Sequence, residues 1–316
     1  MIGNLDADAL MAGPLGQWLE GQKAEREIAS AASNKRFVMA GAGLGGLALA
    51  MLAVGFLNIG FGGFIFAALT MFACVWAYKP RAAAIQRVKI GINEAIAEAV
   101  GISYTHQGDP EPGFTRGREF KMLPSHDHRN FEDFWSGDAS GHTFKFYEAH
   151  LQEDQSDSDG GSKKVTVFRG LIMTLAFGRG FHGSTLIQRA GAHRKFFGGK
   201  KDEVKLAGRH MAAVDIVHPD FEDAFDVYSD DQVEARYLVH PTYVERMIEI
   251  EKAFDGAKLR ALFCDGEITL IVESKKNLFE SGGMDASKDR EKLTATIGQF
   301  QSMTNLAESL NENSAR

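Results

Sequence analysis

The sequence predicts an α+β protein: an N-terminal two-helix transmembrane hairpin, then a mixed, mainly antiparallel β-sheet domain with packing helices. Three observations predict this class. A long apolar run lies near the N-terminus, alternating apolar and polar residues follow from about residue 141, and helical spacing returns near the C-terminus. The predicted parts are an N-terminal cytoplasmic arm (1–36), the hairpin (37–78), a juxtamembrane helix (79–101), a cytoplasmic α+β domain (102–282) and a C-terminal helix (283–316).

The apolar run, residues 37–78, contains no charged side chain. A helix crosses a bilayer with about 20 apolar residues, so this run predicts two spans, roughly 37–57 and 59–78. Basic residues flank its outer ends, with Lys35 and Arg36 before it and Lys79 and Arg81 after it. The positive-inside rule then predicts a multi-pass protein of the inner (plasma) membrane with both termini cytoplasmic. The lipid bilayer is therefore a predicted partner.

Glycines in the first span fit the G-x-G-x-x-G pattern of dinucleotide-binding folds, beginning at Gly41. That fold also needs an acidic residue about 20 positions further on to hold the ribose, and the next acidic residue here is Glu94. We therefore expect no dinucleotide and no other cofactor. Gly41 and Gly45 instead predict a small-residue face on which the two membrane helices approach closely.

Composition limits the other function classes. The formal net charge of −7, from 35 basic and 42 acidic residues, argues against a nucleic-acid partner. The two cysteines, Cys74 and Cys264, lie in a predicted span and a predicted strand. They offer neither a disulfide framework nor a thiolate metal cluster.

Residues 6–34 are interpreted as a short amphipathic helix or a partly disordered arm, and the second span is expected to continue as a helix to a C-cap at Gly101. A loop is expected around Pro110 and Pro112. Helices are predicted after Pro241 and over 286–313, the latter docking on the domain or forming a weak coiled coil. Asp265-Gly266 predicts a tight hairpin turn. The predicted strands are 143–151, 164–175, 184–188, 212–217, 225–228, 259–264 and 268–272.

Part of this pattern resembles a known family. The residues concerned are Glu148 in its strand, the Val167–Leu171 strand, the run Asp231-Gln232-Val233-Glu234-Ala235-Arg236-Tyr237, and the paired strands before Leu278. Together, over about residues 110–282, they resemble an uncharacterised bacterial membrane-protein family, domain of unknown function 3137. The resemblance implies a domain joined to one or two membrane helices, and it implies no activity.

Candidate sites are few. His126 and His128 could share a metal ion but lack further ligands at defined spacing, so no metal site is predicted.

A basic segment, 189–209, offers Arg194, Lys195, Lys200 and Lys201 as candidate contacts to lipid or a partner, with a solvated loop as the alternative. The one dense charged cluster inside the family-like core contains Asp230, Asp231, Glu234, Arg236 and His240. Helix capping and ion pairing explain this cluster, and acid–base chemistry is the alternative.

These observations predict a non-enzymatic binding or scaffold module at the cytoplasmic face of the inner membrane, with an unidentified membrane or cytoplasmic protein as partner. One alternative is a membrane-tethered, hydrolase-like enzyme that uses the cluster from Asp230 to His240. Another is a subunit of a transport or envelope complex. Neither the oligomeric state nor the partner's identity follows from the sequence.

Overall fold

The computed structural model describes residues 5–55, 60–139, 141–156, 161–178, 180–193, 201–216, 225–239, 258–274 and 276–312, with 243, 245 and 247. These residues fall into two compact units, which we describe separately. The helical unit contains residues 6–95 and 280–295. The sheet unit contains Leu5 and the described residues of 96–279 and 296–312.

Two long helices dominate the N-terminal part. After the short helix α1 (Ala7–Ala12), α2 spans Pro14–Ala53 and α3 spans Gly60–Val100. The expectation of a short or partly disordered arm is wrong, because α2 runs from Pro14 into the apolar run without a break. By length and composition, α2 and α3 are each able to cross a membrane, and only 6% and 11% of their most apolar stretches are buried.

The end of α3 follows the prediction. Gly101 adopts a φ of +72°, and its N–H donates to the carbonyl of Glu98 at 3.1 Å. The N–H of Ile102 donates to the carbonyl of Ala97 at 3.0 Å. These two bonds form the Schellman arrangement, which favours glycine at the left-handed position.

The predicted helix contact at Gly41 and Gly45 is wrong. A Cβ added to either glycine meets no atom within 4 Å, and both residues are exposed. The more covered stripe of α2 lies on a neighbouring face, and it consists of Ser33, Ala40, Leu44, Ala48 and Met51. The matching stripe of α3 consists of Gly62, Phe66, Thr70, Ala73 and Ala77.

Polar bonds fix which faces of α2 and α3 meet. The Ser33 hydroxyl donates to the carbonyl of Ala77 at 2.8 Å, and Arg36 donates to the carbonyl of Trp76 at 3.1 Å. Nearer the other end of the pair, the ring of Trp18 lies so close to Gly91 that an added Cβ would come within 2.3 Å of it. The helices are therefore antiparallel, and their register turns the face of Gly41 outward.

The sheet unit is built on one ten-stranded sheet, in the order β1-β2-β3-β4-β10-β9-β5-β8-β7-β6. Every described pairing is antiparallel, as the prediction of a mainly antiparallel sheet requires. The strands are β1 (Ser103–Thr105), β2 (His128–Ala139), β3 (His142–Ser156), β4 (Ser162–Ala176), β5 (Thr185–Arg189), β6 (Glu203–Leu206), β7 (Arg209–Val214), β8 (Phe225–Ser229), β9 (Leu259–Cys264) and β10 (Glu267–Glu273). Further elements of the described residues are α4 (Gly113–Glu119), α5 (Gln232–Leu238), a 3-10 turn (Ala286–Lys288) and α6 (Asp289–Glu312). Residues 243, 245 and 247 are helical, and the rest of the helix predicted after Pro241 lies outside the described residues.

The predicted strands are all present where the structure describes them, and the β9–β10 turn has the expected form, with Asp265 and Gly266 at φ of +55° and +77°. Three strands were not predicted: β1, β2 and β6. In β2 the alternation changes phase, because a register shift lies between Glu132 and Trp135 and Asp133 has a φ of +57°. The expected loop near Pro112 is also partly wrong, since α4 begins immediately after it.

Both faces of the sheet carry aromatic side chains. On one face Phe134 stacks on Tyr147 with ring centroids 4.8 Å apart, and they belong to a buried cluster that includes Phe114 of α4. On the other face Trp135 lies 5.2 Å from Phe300 of α6. The C-terminal helix therefore docks on the sheet, which is the first of the two arrangements predicted for it. The side chains of residues 306–312 of this helix are not described.

Candidate functional site

The predicted charged cluster is built into the backbone around it. Asp231 precedes α5, and its carboxylate accepts hydrogen bonds from the N–H groups of Val233 and Glu234, both at 3.0 Å. Asp230 accepts from the N–H of Ser184 at 2.6 Å and pairs with Arg209 at 3.0 Å. Each of these two carboxylates therefore has a structural task.

Asp231 and Glu234 have the spacing of a capping box, but the N–H of Asp231 donates to the hydroxyl of Ser229 and not to Glu234. The Glu234 carboxylate accepts from the N–H groups of His182 and Gly183, at 2.9 and 2.7 Å, and so fastens the segment before β5 to α5. Arg236 is exposed on α5, and His240 lies outside the described residues. Capping accounts for the placement of Asp231, and hydrogen bonds from the backbone before β5 account for that of Asp230 and Glu234.

A concave surface lies beside α4, in a part of the chain where the sequence predicts only a loop. We call it the α4–β2 groove, since its walls come from α4, the start of β2 and the segment between them. Its volume is about 980 Å³, near the upper end of the range for small-molecule sites. Its lining includes Thr115, Arg118, Glu119, Lys121, Ser125, His126, Asp127 and Arg129.

Two arginines in this groove rest on one buried ring. The guanidinium carbons of Arg118 and Arg129 lie 5.8 and 5.3 Å from the ring centroid of Phe114, which is fully buried. His126 also faces this ring, with centroids 5.6 Å apart. Such cation–aromatic contacts restrict the arginine side chains and leave their N–H groups able to bind an anion.

Lys121, the third cation of the groove, has a left-handed backbone conformation. Lys121 follows α4 with a φ of +53°, where glycine or asparagine is common, and its N–H donates to the carbonyl of Arg118 at 3.1 Å. Within the described part of the chain, no carboxylate lies in ion-pair distance of Arg118, Lys121 or Arg129.

Of the predicted basic segment, Lys201 lies in the described residues, whereas Arg194, Lys195 and Lys200 lie outside them. Burial lowers the pKa of His193, and the charges of Lys201 and Lys121 lower that pKa further. Lys201 and groove residue Lys121 therefore both act on the same imidazole. The segment is also not wholly a loop, because it contains β6 and the start of β7.

The histidines considered for a metal have separate partners. Nδ1 of His126 lies 3.1 Å from the carbonyl oxygen of Pro124, and Nε2 of His128 lies 2.9 Å from a carboxylate oxygen of Asp154. A different group, His106, Glu132 and Asp133, brings its potential ligand atoms within 4.8 Å of one another. There Asp133 accepts from the hydroxyl of Tyr104 at 2.6 Å, so the group already has a structural role.

The structure thus defines an α+β protein with two membrane-length helices and an open basic groove. Residues 166–312 match the family model described as "Protein of unknown function (DUF3137)". The resemblance predicted over about residues 110–282 is therefore confirmed over residues 166–282, and the match continues to residue 312, through α6. No curated protein matches the sequence.

One similar solved structure is the crystal structure of the mycobacterial trehalose monomycolate transport factor A, TtfA. The similarity covers 71% of this chain and 95% of that one, at 12% sequence identity and a TM-score of 0.32. A likeness this weak carries no argument about function.

Proposed function

We propose that this chain is an integral membrane protein whose α+β domain acts as a non-enzymatic binding or scaffold module at the cytoplasmic face of the inner membrane. The observation that carries the proposal is the uncovered apolar surface of α2 and α3. Side chains such as Val38, Leu49, Phe64 and Met71 are more than half exposed. Lipid is the environment that accepts an apolar surface of this extent.

The length of α2 supports the same proposal. At 1.5 Å per residue its 40 residues span about 60 Å, roughly twice the hydrocarbon thickness of a bilayer. The apolar run occupies one half of α2, and the other half carries charged residues such as Glu25 and Arg26. One half of the helix pair then lies in lipid, and the other half extends into the cytoplasm with its basic flanks at the boundary.

The site geometry favours binding over catalysis. Asp230, Asp231 and Glu234 already accept backbone hydrogen bonds, so a catalytic role would compete with their structural one. The α4–β2 groove, by contrast, presents cations without carboxylate partners among the described residues. An exposed surface of this kind suits recognition of a partner or ligand.

Topology is tested by fusing alkaline phosphatase, which is active only outside the cytoplasm, to either end of the chain. Both fusions should be inactive, and a fusion inserted between α2 and α3, at 54–59, should be active. Activity of the C-terminal fusion would contradict the proposed orientation.

The scaffold role is tested separately, by purifying the full chain in detergent after cross-linking in cells. A stoichiometric partner supports it. If no partner is captured, and if Asp230→Asn abolishes complementation although the protein stays stable, the scaffold proposal is wrong and the hypothesis of a membrane-tethered enzyme is favoured.

A further inference from the structure

We propose that the α4–β2 groove binds a phosphate monoester, carried by a soluble small molecule or by a lipid headgroup. This inference deepens the proposed binding function by naming a ligand class for one surface. It rests on three features: the groove's volume, its three cations, and the way two of those cations are held.

The first step concerns charge. Arg118, Lys121 and Arg129 line the groove, and none of them lies within ion-pair distance of a carboxylate of the described residues. Two carboxylates, Glu119 and Asp127, also line it. One oxygen of Asp127 accepts from the N–H of Asp154 at 2.8 Å. Cations therefore outnumber carboxylates in the lining, three to two.

The second step concerns geometry. Guanidinium groups bind phosphate oxygens through paired N–H donors, and this requires that the side chains be held in place. The ring of Phe114 supports both Arg118 and Arg129. Phe114 is fixed in turn by burial and by the ring of Phe131, whose centroid is 4.8 Å away.

The third step concerns the neutral groups. Since a carbonyl oxygen only accepts, the nitrogen of His126 that faces Pro124 carries the proton, so Nε2 of the neutral ring is an acceptor that can bond a protonated phosphate oxygen. The neutral donors are hydroxyls. The hydroxyls of Thr115 and Ser125 also line the groove. A tetrahedral phosphate, with several acceptor oxygens, matches this number of donors better than a single carboxylate does.

Lys121 provides a variant whose effect separates binding from folding. Its backbone is in the left-handed region, which glycine adopts without strain. Lys121→Gly should therefore melt at or above the temperature of the parent protein, yet bind phosphate more weakly because it lacks the ammonium group. Loss of binding in a protein that is no less stable cannot be attributed to misfolding.

The experiment titrates glycerol 3-phosphate into the full chain in detergent and follows heat. We expect saturable binding by the parent, and at least about tenfold weaker binding by Arg118→Gln or Arg129→Gln, the loss expected for one charged hydrogen-bonding pair. Glu119→Gln should bind more tightly, because it removes a repelling carboxylate. Arg236→Gln is the matched control, since Arg236 is an exposed arginine of α5 that does not line the groove.

Lipid and soluble sources are distinguished by reconstituting the chain in phosphatidylcholine nanodiscs with or without phosphatidic acid. Competition by phosphatidic acid against glycerol 3-phosphate assigns the groove to the lipid headgroup, and equal affinity in both discs assigns it to a soluble phosphate ester. Absence of binding in every preparation would overturn the proposal, as would binding that the groove variants leave unchanged. Neither result bears on the membrane topology or on the cross-linked partner, so failure here is distinct from failure of the proposed function.

Discussion

Arg26 of α2 forms two hydrogen bonds with the carboxylate of Asp289, at 3.0 and 2.9 Å, although 263 positions separate them in the sequence. Both side chains are almost completely buried, at 3% and 4% exposure. Nearby, Lys89 pairs with Glu280 at 2.6 Å, and the hydroxyl of Ser281 contacts the side chain of Asn93 at 3.1 Å. These contacts fasten residues 280–289 to the long helices.

The buried pair gives the first prediction. Arg26→Ala leaves the Asp289 carboxylate buried without its cation, so the free energy of unfolding of the detergent-solubilised protein should fall by about 3–5 kcal/mol. The double variant Arg26→Met, Asp289→Leu should recover most of this loss, because it buries apolar groups instead. Arg87→Ala is the control, since its pair with Glu25 is more than half exposed, and it should change stability by no more than about 0.5 kcal/mol. Similar losses for Arg26→Ala and Arg87→Ala would show that burial of the pair has no energetic consequence.

A second prediction concerns the proline inside α3. Pro80 has no N–H to donate to the carbonyl of Trp76, and Arg36 donates to that carbonyl instead. Arg36→Met should therefore lower the free energy of unfolding by about 1–2 kcal/mol. In a Pro80→Ala background the restored N–H can bond the carbonyl, so the same substitution should cost less.

The comparison is a double-mutant cycle, with thermal unfolding as the measurement. Lys35→Met removes the neighbouring charge and serves as the control for positive charge alone. An equal cost of Arg36→Met in both backgrounds would assign its contribution to the ring of Trp76, over which the guanidinium lies at 5.0 Å, instead of to the carbonyl.

A third prediction contrasts two glycines of the helix pair. Gly91 has no room for a methyl group beside the ring of Trp18, whereas Gly41 faces open space. Gly91→Ala should destabilise the protein by about 1–3 kcal/mol, the usual cost of overpacking. Gly41→Ala should be neutral or stabilising by up to about 1 kcal/mol, since alanine is the better helix former. The comparison uses melting temperatures in one detergent. A lower melting temperature for Gly41→Ala would support the helix contact that the sequence predicts at Gly41.

A fourth prediction concerns the cap of α5. Asp231→Ala should lower the free energy of unfolding by about 1 kcal/mol and Asp231→Asn by less, because asparagine still accepts the two backbone hydrogen bonds. Gln232→Ala, on the exposed next position, is the control. A catalytic carboxylate would behave differently, since asparagine cannot take up a proton. If both Asp231 variants melt like the parent and neither supports cellular complementation, the cluster is a functional site.

Local features of the structure were predictable from residues close together in the chain. The end of α3 at Gly101, the turn at Asp265-Gly266 and the cap by Asp231 each depend on a few adjacent positions. Strand β2 was not predictable in this way, because the bulge at Asp133 interrupts its alternation. The α4–β2 groove was missed for a related reason: its cations are ordinary surface residues until Phe114 is buried beneath them.

The sequence by itself determined the membrane-length apolar run, the antiparallel character of the sheet and the C-terminal helix, because periodicity and composition report which faces of an element are apolar. The tertiary structure decided which faces meet. In the tertiary structure Gly41 and Gly45 face outward, and Asp230 and Glu234 accept hydrogen bonds from backbone N–H groups. Arg26 forms an ion pair with Asp289. Such pairings join residues far apart in the chain, and they depend on packing and register that no local pattern encodes.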